Sequence, residues 1–354
     1  MVGHLTYQYI SRNDAFEDLL HITKEEFNLC SDLLADFSVA DATTDGYGVK
    51  DHLVWLFSFS SVYANFSAMA RILKIHKEVV RRKVLAVARS LAVILKVKYI
   101  GFKPYEQMVR ESQASDFGRN PELAWLHNVP VFIIDGTGVE VYKPVDSRIN
   151  RLQYCWFKKE HQLRVQVVID ITGHTVYVGP TKQGHMSDNT AMAEDLDTPG
   201  RLGLVGEFTA HFAQKLGDEP YVIDDIRNSL FVMLGDKGYG RFTPPPRTAL
   251  VLTSSADGAD EAGCRYIDKK KHGKCIFTSP IIAAYRSLIE RVFGRLWNAS
   301  VFLRGPVFSS QLGLVRNMMV IHLALFNRAL STGYAILGRT STGQREAPGD
   351  IENE

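Results

Sequence analysis

Apolar residues recur at three- and four-residue intervals through the first third of the chain. The spacing is clearest in HLVWLFSF, which begins at His52, and in VLAVARSLAVIL, which begins at Val84. This is the period of a helix with one buried face, and no run in this part alternates with the two-residue period of a strand. The pattern therefore predicts a helical region over residues 1–118.

The pattern changes from about Pro130, where short runs rich in β-branched and aromatic residues predict strands. These runs are VFII, RVQVVID, HTVYVG, FVMLG and ALVLT. Gly173, in the segment ITGH, predicts a hairpin turn between the second and third runs. Helical spacing or a helix start is found in SDNTAMAEDL, in GEFTAHFAQKL, from about Pro280, and from about Leu312 to Leu330.

This order of elements is typical of a ribonuclease H-like α/β core, in which helices flank a mixed sheet. The predicted organisation is a helical N-terminal region at 1–118, an α/β domain at 119–338, and a polar tail at 339–354 that we expect to be disordered.

One segment of the helical region, within residues 50–95, has the layout of a helix-turn-helix. SAMARILKIHKEVVRRKVLAVARSL predicts two helices joined at about Lys74 to His76. The second helix carries four cations that could face the major groove of DNA: Lys77, Arg81, Arg82 and Lys83. An ordinary helical hairpin with a basic outer face explains the same pattern and stays open.

Composition is that of a protein with a sizeable core, since 45% of the 354 residues are apolar. The four cysteines are widely spaced and the first residues lack the layout of a secretory signal, so we expect a reducing compartment. The uncharged stretch from Leu53 to Ala70 contains four serines and an asparagine, which argues against a membrane span. Net charge is only +2, but the segment from Lys269 to Arg345 is strongly basic.

Three acids stand out as candidates for metal-dependent chemistry. Asp135 directly follows VFII, Asp236 directly follows FVMLG, and Glu290 is the only acid between Lys269 and Arg345. Phosphodiester cleavage by two divalent cations requires carboxylates that converge on one point, and such hard oxygen ligands suit Mg²⁺ or Mn²⁺. The alternatives are turn-forming acids after strands and, for Glu290, a helix salt bridge with Arg286.

Two further acids have local explanations in the sequence. Asp170 precedes a turn glycine, and Asp188 lies at a helix start. The local patterns therefore leave Asp135, Asp236 and Glu290 as the candidate acids, with the alternatives above still open.

Four blocks of the chain, in order, resemble the nuclease domain of PIF/Harbinger-like transposases, members of the DDE superfamily. IDGTGVEV with Asp135 resembles the first-acid motif, and KKEHQLRVQVVIDITG resembles the block in which a glutamine and an aspartate flank a hairpin. GDKGYG with Asp236 resembles the second-acid motif, and RSLIERVFGRLW with Glu290 resembles the third. The resemblance covers roughly residues 50–330, which includes the helix-turn-helix-like segment.

The chain departs from the family pattern in several places. Gly138 stands where the family usually has a histidine after IDGT, and Ser187 stands where it has the histidine of a His-Asp pair. The 54 positions from Asp236 to Glu290 (290 − 236) are more than we expect, and the polar stretch from Ser254 to Lys274 can hold the extra length.

The resemblance implies a DNA endonuclease and strand-transferase in which Asp135, Asp236 and Glu290 hold two Mg²⁺ or Mn²⁺ ions. It also implies a nuclear location and a Myb-like DNA-binding partner protein, and it leaves a homo-oligomer open. RRK at 81–83 and KKKHGK at 269–274 are compatible with nuclear import. We expect further phosphate contacts, besides those of the second predicted helix, from five cations: Lys158, Lys159, Arg164, Arg291 and Arg295.

Two alternative functions remain open at this point. One is a domesticated derivative that binds DNA as a regulator without cutting it. The other is a nuclease or integrase of the same fold that acts on a different nucleic acid.

Overall fold

A computed structural model of the chain describes residues 6–36, 47–63, 65–119, 123–193, 202–217, 228–239, 241–253, 274–277, 280–308 and 311–332. The predicted tail at 339–354 lies outside these residues. So does most of the stretch from Ser254 to Lys274, with the greater part of the basic run at 269–274.

The α-helices are α1 (Tyr7–Arg12), α2 (Phe16–Leu20), α3 (Lys24–Asp36), α4 (Val49–Ser58), α5 (Phe66–Leu73), α6 (Lys77–Tyr99), α7 (Tyr105–Gln113), α8 (Ser147–Gln153), α9 (Asp188–Ala193), α10 (Leu204–Leu216), α11 (Pro280–Ala299), α12 (Val301–Arg304) and α13 (Leu312–Ser331). The strands are β1 (Val131–Glu140), β2 (Tyr154–Cys155), β3 (Glu160–Asp170), β4 (Thr175–Gln183), β5 (Phe231–Asp236), β6 (Thr248–Thr253) and β7 (Lys274–Phe277). A π-helical turn at Phe59–Tyr63 extends α4, and 3-10 turns lie at Asp116–Arg119, Ala124–Asn128 and Lys237–Tyr239.

The helices α5 and α6 meet where the sequence predicts a break. Lys74 adopts the left-handed conformation (φ 55°) and ends α5, and the ring nitrogen Nδ1 of His76 accepts a hydrogen bond from the backbone N–H of Glu78 at the start of α6. Buried apolar residues then recur along α6 with helical spacing, so its opposite face, which carries the basic residues, is left toward solvent.

Within the described residues, seven strands form one mixed sheet. The order along the sheet is β4, β3, β1, β5, β6, β7, and the short β2 also pairs with β3. β3 is antiparallel to β1, β2 and β4, whereas β1, β5, β6 and β7 are mutually parallel. Gly173 (φ 85°) lies in the turn between β3 and β4, as predicted. β7 was not predicted.

β1 lies in the middle of the sheet, and both of its faces are covered. Val131 to Ile134 are at most 2% exposed, which confirms the prediction that VFII is a central strand. Helices α7, α9 and α10 pack on the face that carries Phe132 and Ile134. Helices α11 to α13 pack on the face that carries Ile133.

The core on the α11–α13 side continues without interruption into the N-terminal helices. α6 packs along α13, and residues of α1 to α5 belong to the same buried cluster. The hydrophobic core therefore does not divide at residue 118, although the described residues before that point are helical. None of the described helices is long and apolar enough to cross a membrane.

Candidate functional site

The register of two parallel strands brings Asp135 and Asp236 side by side. Ile133 of β1 pairs with Leu234 of β5, and each aspartate lies two residues beyond that pair. Neighbouring strands are about 4.8 Å apart, and residues two apart point to the same face. Both carboxylates therefore lie on the face covered by α11, at the point where β1 and β5 stop pairing.

A third carboxylate, that of Asp188 at the start of α9, approaches the same strand segments from the opposite face of the sheet, the face that α9 covers. Its Oδ1 accepts hydrogen bonds from the guanidinium of Arg164 and, at 3.2 Å, from Nε2 of Gln166. Arg164 also donates from Nη1 to the carbonyl of Met186 at 2.8 Å. Two polar residues of β3 therefore fix the Asp188 carboxylate from one side.

Glycines lie where these carboxylates approach the backbone most closely. A Cβ on Gly136 would lie 2.7 Å from Oδ1 of Asp188, and a Cβ on Gly238 would lie 2.7 Å from Oδ1 of Asp236 and 2.9 Å from Oδ2 of Asp188. Any side chain at either position would displace an aspartate. Gly136 within β1 and Gly238 in the turn after β5 thus leave room for the acids.

The acids perturb one another electrostatically. Burial raises the pKa of Asp135 from 3.8 to about 6, and the negative charges of Asp236 and Asp188 add to the rise, while the backbone N–H of Gly136 opposes it. Burial, followed by the charge of Asp188, also raises the pKa of Asp236. The negative charge of the three aspartates is therefore only partly offset by Arg164 and Arg286.

Tyr239 is buried beside the acids, in the core on the α9 side of the sheet. The ring is fully buried, and its hydroxyl donates a hydrogen bond to Oε1 of Gln166. Burial and the charges of the three aspartates raise the tyrosine pKa well above its usual value, so the hydroxyl stays protonated and acts as a donor. Gln166 thereby links Tyr239 to Asp188.

Arg286 of α11 is the cation that serves both Asp135 and Asp236. Its charge lowers the pKa of each aspartate, in opposition to burial. Nη2 of the same side chain also makes a salt bridge of 2.9 Å to Oε1 of Glu290, one helical turn further along. Glu290 is 53% exposed in its side chain, and its salt-bridge partner Arg286 is the residue whose charge also acts on the two aspartates. Its role as a third metal ligand stays a prediction.

The donors suit a divalent cation, although the described residues contain no group of three His, Cys, Asp or Glu side chains arranged to hold one. The oxygens of Asp135, Asp236 and Asp188 are the hard ligands that Mg²⁺ and Mn²⁺ prefer, and their charge is only partly neutralised by Arg164 and Arg286. The chemistry of the donor set therefore fits the implied ions.

The basic residues predicted on the second helix of the helix-turn-helix-like segment lie in the first turns of α6. Lys77 and Arg82 are exposed, and Arg81 makes a salt bridge of 2.7 Å to Glu78. Lys83 is partly exposed. These residues are available at a surface, and nothing in the structure tests their contact with DNA.

The other predicted phosphate contacts have different surroundings. Lys158 and Lys159 are exposed at the turn before β3. Arg164 is held by Asp188, and Arg291 is partly buried. The guanidinium of Arg295 lies 5.0 Å from the centre of an aromatic ring of α13. Only the two lysines are fully presented to solvent.

Sequence reasoning missed the part played by Asp188 and by Arg164, Gln166 and Tyr239. Asp188 does stand at a helix start, as its local pattern indicates, but its side chain also points into the cluster. Alternation along β3 was a usable signal, because Gln162, Arg164 and Gln166 are polar residues at every second position of a central strand.

No known family model, curated protein or solved structure matches this chain.

Proposed function

We propose that this protein is a metal-dependent DNA endonuclease and transposase of the PIF/Harbinger type. The observation that carries the proposal is the side-by-side placement of Asp135 and Asp236 on two buried parallel strands, with Asp188 approaching both from the opposite face. Such a cluster is of little use to stability, because it raises the pKa of its own members. The four motif blocks in order supply the assignment to DNA chemistry.

The sheet supports the proposal at the level of fold. The order β4, β3, β1, β5, β6, with β3 antiparallel to its neighbours, is the arrangement expected of a ribonuclease H-like sheet. In such a sheet the first and fourth long strands lie side by side. When the two-residue β2 is left out of the count, these are β1 and β5, the strands that carry the two aspartates.

In the proposed site, Asp135 and Asp236 hold two Mg²⁺ or Mn²⁺ ions, and Asp188 or Glu290 completes the set. The ions would activate water and stabilise the leaving oxygen. Arg164 and Gln166 hold Asp188 in place, and Tyr239 fixes Gln166. The charge of Arg286 partly offsets that of the two aspartates, and the same side chain makes a salt bridge to Glu290.

The remaining parts of the proposal concern location and partners. We infer that the exposed cations of α6 contact DNA, that the protein acts in the nucleus, and that a Myb-like protein assists end recognition. The break between α5 and α6 and the basic face of α6 support a helix-turn-helix in this role.

A second function, a DNA-binding derivative that does not cut, is favoured by two observations. Glu290 is engaged with Arg286, and the described residues contain no ready group of three metal-binding side chains. A chain of this kind would bind DNA through the same surfaces and would not cleave it.

The deciding experiment is Mn²⁺-dependent nicking of supercoiled DNA by the purified full chain. Asp135→Asn and Asp236→Asn should lower the rate at least about 100-fold, because each removes a charged ligand and keeps the shape. The matched control is Asp32→Asn, an exposed aspartate on α3, which should cut like the wild type.

The third acid is identified by comparing Asp188→Asn with Glu290→Gln in the same assay. The variant that loses activity marks the residue that completes the site. Equal nicking by all variants would show that the three-carboxylate mechanism is wrong, and a wild type that binds DNA without nicking it would favour the non-cutting derivative.

A further inference from the structure

An exposed turn before β3 combines two aromatic and two basic residues. Trp156 is 78% exposed and Phe157 is 95% exposed, and they are followed by the exposed Lys158 and Lys159. Large aromatic side chains are normally buried because they carry so much apolar surface. Two exposed aromatic side chains next to each other indicate a binding surface for a ligand or a macromolecule.

The base of this turn is fixed. β2 pairs with the first two residues of β3, and the backbone N–H of Lys159 donates to the carbonyl of Cys155 at 2.8 Å. The ring of Tyr154 meets that of Trp156 edge to face at 4.9 Å, and its other ring contact is with His161 at 5.1 Å. The aromatic tip is therefore presented by a supported hairpin and not by a long loop.

The surface around the turn is positively charged. From Val141 to Glu160 the chain contains five Lys and Arg residues and two acids. One of the acids, Asp146, caps α8 through the N–H of Arg148 and of Ile149. Arg148 is 84% exposed in its side chain. A polyanion is the partner that this charge favours.

Aromatic faces combined with flexible cations are typical of surfaces that bind single-stranded nucleic acid, where bases stack on the rings and phosphates meet the lysines. A protein partner fits less well, because lysine is depleted from the centres of protein interfaces. The two lysines follow the aromatic residues directly, so they would lie at the centre of such an interface.

We propose that the turn Trp156–Lys159 binds an unpaired stretch of DNA by stacking bases on Trp156 and Phe157. This inference rests on the proposed function only in taking the bound nucleic acid to be DNA. Lys159 is seven residues from Gln166 along β3, so the turn lies about 24 Å from the carboxylates.

The four tryptophans make the test direct. Trp55 is fully buried, and Trp125 and Trp297 are partly buried, so Trp156 is the one in solvent. Tryptophan emission of the full chain is titrated with oligo(dT) in EDTA, so that cleavage plays no part. Oligo(dT) should quench the long-wavelength emission, and Trp156→Phe should abolish this quenching while binding, followed by anisotropy of a labelled oligonucleotide, is largely kept.

The double variant Trp156→Ala/Phe157→Ala should bind oligo(dT) at least about tenfold more weakly than the wild type. The matched control is Val93→Ala/Val97→Ala, which truncates two exposed apolar residues of α6 and should bind normally. Unchanged binding by the aromatic variant would overturn the proposal. Equal quenching by polyphosphate, which has charge but no bases, would also overturn it.

The turn could alternatively contact a second copy of the chain. Analytical sedimentation of the same variants tests this, because it measures their oligomeric state. If the aromatic variant changed only the oligomeric state and bound DNA normally, the turn would be a protein contact and the proposal would be wrong. A wild type that is quenched by oligo(dT) but does not nick DNA would support this inference and contradict the proposed nuclease, so the two failures are distinguishable.

Discussion

Replacing Asp135 by Asn should make the metal-free protein more stable at neutral pH. The Asp135 carboxylate is partly buried beside two other acids, and its Oδ1 accepts a hydrogen bond of 2.7 Å from the N–H of Gly136. Asparagine keeps the shape and this acceptor. It removes the charge that burial and the neighbouring acids disfavour.

The magnitude follows from the pKa of Asp135, which is raised from 3.8 to about 6 in the folded protein. Each pKa unit corresponds to about 1.4 kcal/mol, so the ionised carboxylate destabilises the fold by about 3 kcal/mol at pH 7. Because the folded pKa is the higher one, the folded state binds a proton that the unfolded state has released between pH 4 and 6. The penalty is therefore absent below pH 4 and complete above pH 6.

Urea denaturation in EDTA from pH 4 to 8 measures this difference between the wild type and Asp135→Asn. Asp170→Asn, which its turn context would suggest as a control, is unsuitable because Asp170 is buried in a salt bridge of 2.7 Å with Lys103. Asp32→Asn on the exposed face of α3 is the suitable control.

A variant no more stable than the wild type at pH 7 would refute the electrostatic reasoning. So would a stabilisation that is the same at pH 4 and pH 8, because that would be a packing effect.

Three further results are expected. Mn²⁺ at 100 times its dissociation constant should raise the free energy of unfolding of the wild type by about 2.7 kcal/mol and leave that of Asp135→Asn/Asp236→Asn unchanged. A wild type whose unfolding free energy does not respond to Mn²⁺ would contradict the metal site. Burial lowers the pKa of His322 from 6.5 to about 4. The free energy of unfolding should therefore be unaffected by this group above pH 6.5 and should fall by about 3 kcal/mol as the pH drops toward 4. His322→Gln should flatten this part of the pH profile. Lys103→Met should destabilise by about 3–5 kcal/mol, since it leaves the buried Asp170 carboxylate uncompensated, and equilibrium denaturation at pH 7 checks this value.

Much of the fold was predictable because the chain alternates clear helical and strand patterns. VFII and FVMLG are apolar throughout, which indicates strands covered on both faces, and each run is followed directly by an aspartate. Their parallel register then sets Asp135 beside Asp236. The strand β7 was missed because KCIF is four residues long and follows a polar stretch.

The candidate site was only partly predictable, because one of its members comes from a distant element. Asp188 has a sufficient local explanation as a helix-start residue, and only the packing of α9 beside β3 reveals its second role. The Arg286–Glu290 salt bridge, in contrast, follows from four-residue spacing and was recognised as an alternative. What spacing does not reveal is that the charge of Arg286 also lowers the pKa of both aspartates.

The parting of β1 and β5 has an evolutionary consequence. The two strands pair through Ile133 and Leu234 and are buried on both faces there, so the acids beyond that pair can change without disturbing the pairing. Since loss of the Asp135 charge is expected to stabilise the chain, selection for stability alone would favour a descendant that keeps the DNA-facing surfaces and abandons cutting. A single nucleotide change from an aspartate to an asparagine codon would suffice.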